Sequence, residues 1–155
     1  MPDRFANGNP QNDSTEDTAE KVQRSHPGRR HGGDLQGMID HLDYIADLGM
    51  TAIWSTPLLL DNEPFASYHG YACADYYHID PRMGSNELYR EYVAEAHKRD
   101  IKIIMDIVTN HCGIAHWWIE DLPFEDWIHR FDNDEYVQTN NMFSTNMDPN
   151  ASQYD

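Results

Sequence analysis

The sequence predicts an α/β fold built on a parallel sheet, and three observations carry that prediction. Two helical patterns alternate with two strand-like runs between about residues 34 and 107, with short joins between them; this alternation is the signature of α/β domains. The second run, IKIIMDIV, is apolar on both faces, as strands of a parallel sheet covered on both sides are. The chain has 155 residues, 39% of them hydrophobic and 12% aromatic, enough for one domain with a packed core.

The elements follow in order. The chain opens MPDRFANGNPQND, which crowds Asn7, Asn9, Asn12 and Asp13 into one turn-rich stretch. Asn, Asp, Gly and Pro are loop formers, and the same oxygens suit a hard cation, which takes about six to eight of them. Residues 10–33 are polar throughout and read as a long loop. In DLQGMIDHLDYIADLG, Leu35, Met38, Ile39, Leu42, Ile45 and Ala46 recur at helical spacing, with Asp40, Asp43 and Asp47 opposite. The pattern predicts a helix over 34–48, stopped by Gly49. TAIWSTPLL reads as a buried strand over 51–56 halted by Pro57, and 57–84 as a loop. NELYREYVAEAHKR predicts a helix over 86–99, with Lys98 and Arg99 placed at the negative end of its dipole. IKIIMDI predicts the second strand, 101–107. Beyond His111 the aromatic and acidic sequence has no clean period.

Charge narrows the ligand classes. Asp and Glu number 27 against 11 Lys and Arg, a net charge of −16. Nucleic acid and anionic membrane surfaces want a basic face, so neither is an expected partner. Neutral or cationic ligands suit this balance. No run of about 18 apolar residues exists to span a membrane. The first ten residues hold no apolar stretch of the signal-peptide kind. Cys73 and Cys112 are too few for a disulfide framework and form no CxxC pair, so they do not reveal a compartment.

Active groups of parallel α/β folds lie on loops at the carboxyl ends of the strands. The first such loop, DNEPFASYHGYACADYYHIDPRMG, holds two His and four Tyr; the second begins DIVTNH, with Asp106, Asn110 and His111. Aromatic rings stack on apolar ligand faces while His and carboxylate groups take hydroxyls, so the mixture suits a neutral polyhydroxylated ligand. His111 and His116 make no zinc triad.

These residues also resemble a known family. The stretch from Ser67 through His111, ending in DxxxNH (Asp106, Asn110, His111), is similar to the second barrel loop and first conserved region of glycoside hydrolase family 13, the α-amylase family. HGGDLQGMIDHLDYIADLGMTAIWSTP resembles that family's first helix and second strand. MPDRFANGNPQND resembles the end of the first strand in its neopullulanase and cyclomaltodextrinase branch. The match runs from Met1 to about Trp127.

The resemblance implies a (β/α)8 TIM barrel of which this chain holds the first three strands, ending with Met1–Phe5, 51–56 and 101–107. It implies residues 1–111 as the N-terminal part of the catalytic barrel. Residues 112–155 would start a domain inserted between strand three and helix three. It implies a Ca2+ site from Asn7, Asn9, Asn12, Asp13, the Gly32 carbonyl and Asp34. It places His69, Tyr71 and His111 at the subsite for the sugar ring being cleaved, Tyr71 stacking and the histidines donating to hydroxyls, with Asp106 and Asn110 in support. Asp100 stands where the family commonly has Gly, so that turn is strained if it needs positive φ.

The implied activity is retaining hydrolysis of α-glucosidic bonds in starch, maltodextrin, pullulan or cyclodextrin, which needs a carboxylate nucleophile and a carboxylic acid. Those follow the family's fourth and fifth strands, and no stretch here resembles them. The expectation is therefore an N-terminal portion of an enzyme, inactive by itself, whose open strands leave apolar faces bare. Polymeric substrates favour a periplasmic or secreted parent. Two other functions share these motifs: a transglycosylase or sugar isomerase of the same family, and a non-catalytic truncated copy that binds glucan or calcium.

Overall fold

The computed structural model describes residues 1–128. They divide between one compact unit, Met1–Asp121, and a second that begins at Leu122.

Two of the predicted elements carry the scaffold. Strand β1 (Ala52–Ser55) pairs in parallel with the last described strand, Lys102–Met105, in the register Ala52 to Lys102 through Ser55 to Met105. Both strands therefore end at the same edge, where Thr56 and Asp106 leave the sheet. Between them the chain adds an antiparallel hairpin that the sequence reading missed, β2 (Leu59–Asp61) with β3 (Cys73–Ile79). The signal was the Tyr-rich CADYYHI, since aromatic residues favour strands. Pro57 and the surrounding Asp and Gly residues made the stretch read as loop.

The expected helix 34–48 is two helices, α1 (Leu35–Asp40) and α2 (Leu42–Asp47). His41 breaks the ladder at φ −113°, ψ 12°. Its Nδ1 takes the Gly37 carbonyl at 2.8 Å, the acceptor that a regular helix reserves for the His41 backbone N–H. A side chain competing for that carbonyl is a known way to interrupt a helix. Asp34 caps α1, its carboxylate accepting from Gly37 N at 2.7 Å. Helix α3 (Asn86–His97) is capped by the Ser85 hydroxyl, which accepts from Leu88 N at 3.1 Å. Arg99, just beyond its end, donates to the Glu95 carbonyl at 2.9 Å. Strand β4 (Lys102–Met105) follows, after a turn in which Asp100 has φ +57°, the left-handed conformation that glycine would adopt freely. Met1–Phe5 is not a strand: Pro2–Arg4 forms a single 3-10 turn.

The core lies between the helices and the hairpin. Leu35, Met38, Leu42 and Ile45 pack with Leu58, Leu59, Ile79, Met83, Tyr92, Ala96 and Ile101. Each of the Leu, Ile and Met side chains contributes on the order of 1.5–3 kcal/mol relative to exposure. The strands β1 and β4 are not covered on both sides as their apolar sequence predicts. Trp54 is 70% exposed, and Ile104, Met105 and Ile107 are also open. The expectation that bare strands leave apolar faces open describes this sheet.

The long polar loop is held by buried charge. Glu20, Arg30 and Thr18 are buried, as are Asp80 and Arg82 beyond the hairpin. Arg82 donates to both Asp80 oxygens at 2.9 and 2.7 Å and to the Glu20 carbonyl at 2.8 Å. Glu20 accepts from the backbone N and hydroxyl of Ser67, each at 2.7 Å. Arg30 reaches the Ser67 carbonyl at 3.2 Å and Asp80 at 3.4 Å. Arg30 is nonetheless held below the usual arginine range, chiefly by burial. Residues 112–121 belong to the first unit, where Gly113 N donates to the Cys73 carbonyl at 2.7 Å. In the second unit, the rings of Phe124 and Trp127 lie 5.8 Å apart. The rest of the expected inserted domain, 129–155, lies outside the described residues.

Candidate functional site

The parallel pair delivers Asp106 and Trp54 to one edge of the sheet. The Asp106 carboxylate accepts from Trp54 Nε1 at 3.3 Å and from the Tyr71 hydroxyl at 3.3 Å. Burial, then the Asp106 charge and its hydrogen bond, push the Tyr71 hydroxyl above the usual tyrosine range. Tyr71 still presents an exposed ring face. His69 lies beside it, the two rings 5.7 Å apart and tilted by 34°.

His69 sits in the 3-10 turn Ser67–His69, which Gly70 ends at φ +78°. Its Nδ1 accepts from the Tyr71 backbone N–H at 2.9 Å. An amide N–H can only donate, so the proton of the neutral His69 ring is on Nε2. Behind the ring stands Asp61, fully buried and 3.6 Å from Nδ1. Burial raises the Asp61 carboxyl above its usual range, against the lowering effect of backbone bonds from Glu63 and Ala72 and of His69.

His111 closes the other side. Its Nε2 donates to the Tyr71 carbonyl at 3.0 Å, and its Nδ1 faces Asn110 Nδ2 at 3.3 Å. The ring thus already uses its donor, and donation to a sugar hydroxyl requires a ring rotation. Tyr76 holds the segment from beneath by donating to the His111 carbonyl at 2.9 Å. The structure therefore brings together all five expected residues, His69, Tyr71, Asp106, Asn110 and His111. It adds Trp54 and Asp61, which the sequence reading did not single out. A Trp beside the carboxyl end of a strand was the available signal for the first. Nothing in sequence marked Asp61, whose role comes from burial.

The expected cation residues form a second cluster at the start of the chain. Asn7 Oδ1 and Asn12 Oδ1 are buried without a hydrogen-bond partner. A buried oxygen left unpaired costs about 1–3 kcal/mol, and a cation would satisfy both. Asn7 Nδ2 donates to Asp13 Oδ1 at 2.5 Å, and Arg24 pairs with Asp13 Oδ2 at 2.9 Å. Gly32 has φ +87°, and a Cβ there would lie 2.3 Å from Asp13 Oδ1, so its backbone lines the same cradle. Asp34 faces the cradle's backbone: Oδ1 accepts from Gly8 N at 2.9 Å besides Gly37 N, and Oδ2 accepts from Asn9 N at 2.9 Å. Asn9 Oδ1 accepts from Gln11 N at 3.3 Å. The donor set is mostly neutral amide and carbonyl oxygen with two carboxylates, chemistry suited to a hard divalent cation. Among the described residues no group of three or more His, Cys, Asp or Glu is placed to hold a metal, so a zinc-type centre has no support. No described helix is long and apolar enough to cross a membrane.

Comparison with known proteins places these features. Residues 1–154 match the family model described as "Alpha amylase, catalytic domain". The chain is 42% identical over 136 residues to neopullulanase 2 of Thermoactinomyces vulgaris, covering 82% of this chain and 22% of that one. It is 40% identical over 136 residues to a cyclomaltodextrinase of Geobacillus thermopakistaniensis, covering 83% and 22%. Among solved structures, an Anoxybacillus α-amylase superposes with a TM-score of 0.76 at 45% identity, covering 85% of this chain and 27% of that one. The chain thus spans about a fifth of the length of the curated relatives it matches.

Proposed function

We propose, from the premise that this chain belongs to the α-amylase catalytic-domain family, that it supplies the substrate-ring subsite of a retaining α-glucan hydrolase. The observation that carries this reading is the cluster at the sheet edge, where Asp106 accepts from Tyr71 and Trp54 while the Tyr71 backbone donates to His69 Nδ1, which leaves the proton of the neutral ring on Nε2. An exposed aromatic face beside a fixed hydroxyl-reading donor is what a sugar ring needs. The relatives' names, neopullulanase and cyclomaltodextrinase, point to pullulan and cyclodextrin as the first substrates to try.

In this reading β1 and β4 are the second and third strands of a (β/α)8 barrel. Residues 1–111 belong to that barrel, and 112–155 start a domain inserted after the third strand. The nucleophile and the acid come from segments outside these residues. His69, Tyr71 and His111 then bind and orient the sugar, and Asp106 and Asn110 hold them. Asn7, Asn9, Asn12, Asp13, the Gly32 carbonyl and Asp34 hold Ca2+. The two orphaned amide oxygens support that ligand set. When bound, the ion ties the first loop to the start of α1 and takes no part in bond cleavage.

The test is reducing-sugar release from β-cyclodextrin and pullulan. The protein that carries this chain should release sugar, the 155-residue chain alone should not, and a His69→Ala variant of the parent should lose most of the rate. Release by the chain alone would overturn the assignment of the catalytic carboxylates. No release by an intact, folded parent would overturn the hydrolase reading.

A further inference from the structure

Both cysteines are free thiols, Cys73 buried and Cys112 partly exposed. They stand on the two segments that build the site. Cys73 follows Tyr71 by two positions and Cys112 follows His111 directly. Those segments touch along their backbones at this point. Gly113 N donates to the Cys73 carbonyl at 2.7 Å. A Cβ on Gly113 would sit 2.4 Å from the Ala72 carbonyl oxygen, so the chains meet there without room for a side chain. That bond sets Cys112, the residue before Gly113, beside Cys73, and a disulfide needs Cα atoms roughly 4.4–6.8 Å apart. Both thiols bear on Tyr76: burial first, then each thiol in turn, raises its hydroxyl.

We propose that Cys73 and Cys112 are a redox-controlled cross-link that clamps the strand carrying Tyr71 to the segment carrying His111. The reaction is thiol–disulfide exchange with a small-molecule disulfide. The Cys112 thiolate, the more accessible of the two, attacks one sulfur of that disulfide. The disulfide's S–S bond breaks and one thiol leaves. The Cys73 thiolate then attacks the Cys112 sulfur, and the second thiol leaves as the protein cystine forms. Two protein thiols are oxidised, one small disulfide is reduced to two thiols, and the two protons remain with those thiols. Burial pushes Cys73 up to about 11 and raises Cys112 as well, so both are mostly protonated at neutral pH and resist casual oxidation. The inference rests on the meeting of two backbones and stands whether or not the parent hydrolyses glucan.

The experiment treats the folded protein with oxidised glutathione at about pH 8.5, near the ordinary cysteine range, followed by tryptic mass mapping without reductant. The sequence places Cys73 in the peptide 31–82 and Cys112 in 103–130. The expected result is these two peptides joined, short by two hydrogen masses, and separated again by dithiothreitol. The oxidised protein should melt higher by about 5 °C or more. Cys112→Ser, at a partly exposed position, should abolish the joined peptide and leave Cys73 unmodified. A stable glutathione adduct on Cys112 with no joined peptide would show that the sulfurs do not meet and would overturn the proposal. So would a joined peptide that appears only after denaturant, or one accompanied by a lower melting temperature.

Discussion

Two polar clusters flank the same hairpin and spend their hydrogen bonds differently. In the knot of Glu20, Arg30, Ser67, Asp80 and Arg82, most donors and acceptors turn toward one another inside the protein, although Arg30 Nε is buried without a hydrogen-bond partner, 4.0 Å from Asp3 Oδ1. At the sheet edge, Asp106 and the backbone of Tyr71 hold their neighbours in place, while Tyr71 is exposed and the half-buried His69 keeps Nε2 as its donor. Charge and polarity alone do not separate the two. What separates them is whether the carboxylates and most of their donors have already found partners inside the protein. A polar cluster that satisfies itself is architecture, and one that fixes its members with groups to spare is prepared for a ligand.

The sharpest break of this contrast is Arg82→Ala. It strips Asp80 of its main partner in a buried setting, and breaking a buried pair from one side costs about 3–5 kcal/mol. Denaturant unfolding should show that loss; one below about 1 kcal/mol would mean the knot is dispensable. Next is the cation cradle, a cluster with orphaned oxygens that belongs with the outward-facing kind. Asn7→Ala should lower the melting temperature in calcium and leave it equal to wild type in chelator. Stabilisation by a ligand amounts to about 2.7 kcal/mol at a hundredfold excess over Kd. Equal loss in both conditions would refute the calcium assignment.

Tyr71→Ala should weaken maltooligosaccharide binding to the parent about tenfold, or about 1.4 kcal/mol. Its unfolding free energy should stay within about 0.5 kcal/mol, as for ordinary surface changes. A stability loss like that of Arg82→Ala would move Tyr71 into the architectural class. The smallest effect belongs to neither cluster. Asp100→Gly relieves a left-handed residue and should change stability by no more than about 0.5 kcal/mol, because Asp tolerates that conformation and glycine loses more entropy on folding. Calorimetry would detect a larger gain as real strain.

The contrast also explains what was legible in the sequence. Helix α3 and strands β1 and β4 follow from local pattern, so they could be read directly, whereas the positive φ at Asp100 was legible only through the family resemblance, which commonly has Gly there. The loops that carry the site could be named because parallel strands deliver their following loops to one edge, while the choice of His69, Tyr71 and His111 within them rests on the family resemblance. The knot could not be read. Arg82 and Glu20 are 62 residues apart, and no local periodicity encodes such a pair. Residues 10–33 therefore looked like a solvated loop, although Glu20 and Arg30 are buried. The break at His41 was hidden for another reason. The apolar spacing runs through it unbroken, and only the ring's choice of the Gly37 carbonyl stops the helix. Met1–Phe5 is a 3-10 turn around Pro2, and a stretch so short carries no period to read.

The Asp34 carboxylate has a consequence of its own. One oxygen holds both Gly8 N and Gly37 N, and the other holds Asn9 N. The first turn of α1 and the opening loop therefore share a single anchor and open together rather than in sequence. Amide exchange at Gly37, inside the helix, should then report events at Asn7 and Asn12, which it does not touch. A cation captured by the loop would slow exchange at Gly8, Asn9 and Gly37 by one common factor, making the helix start a built-in gauge of loop occupancy.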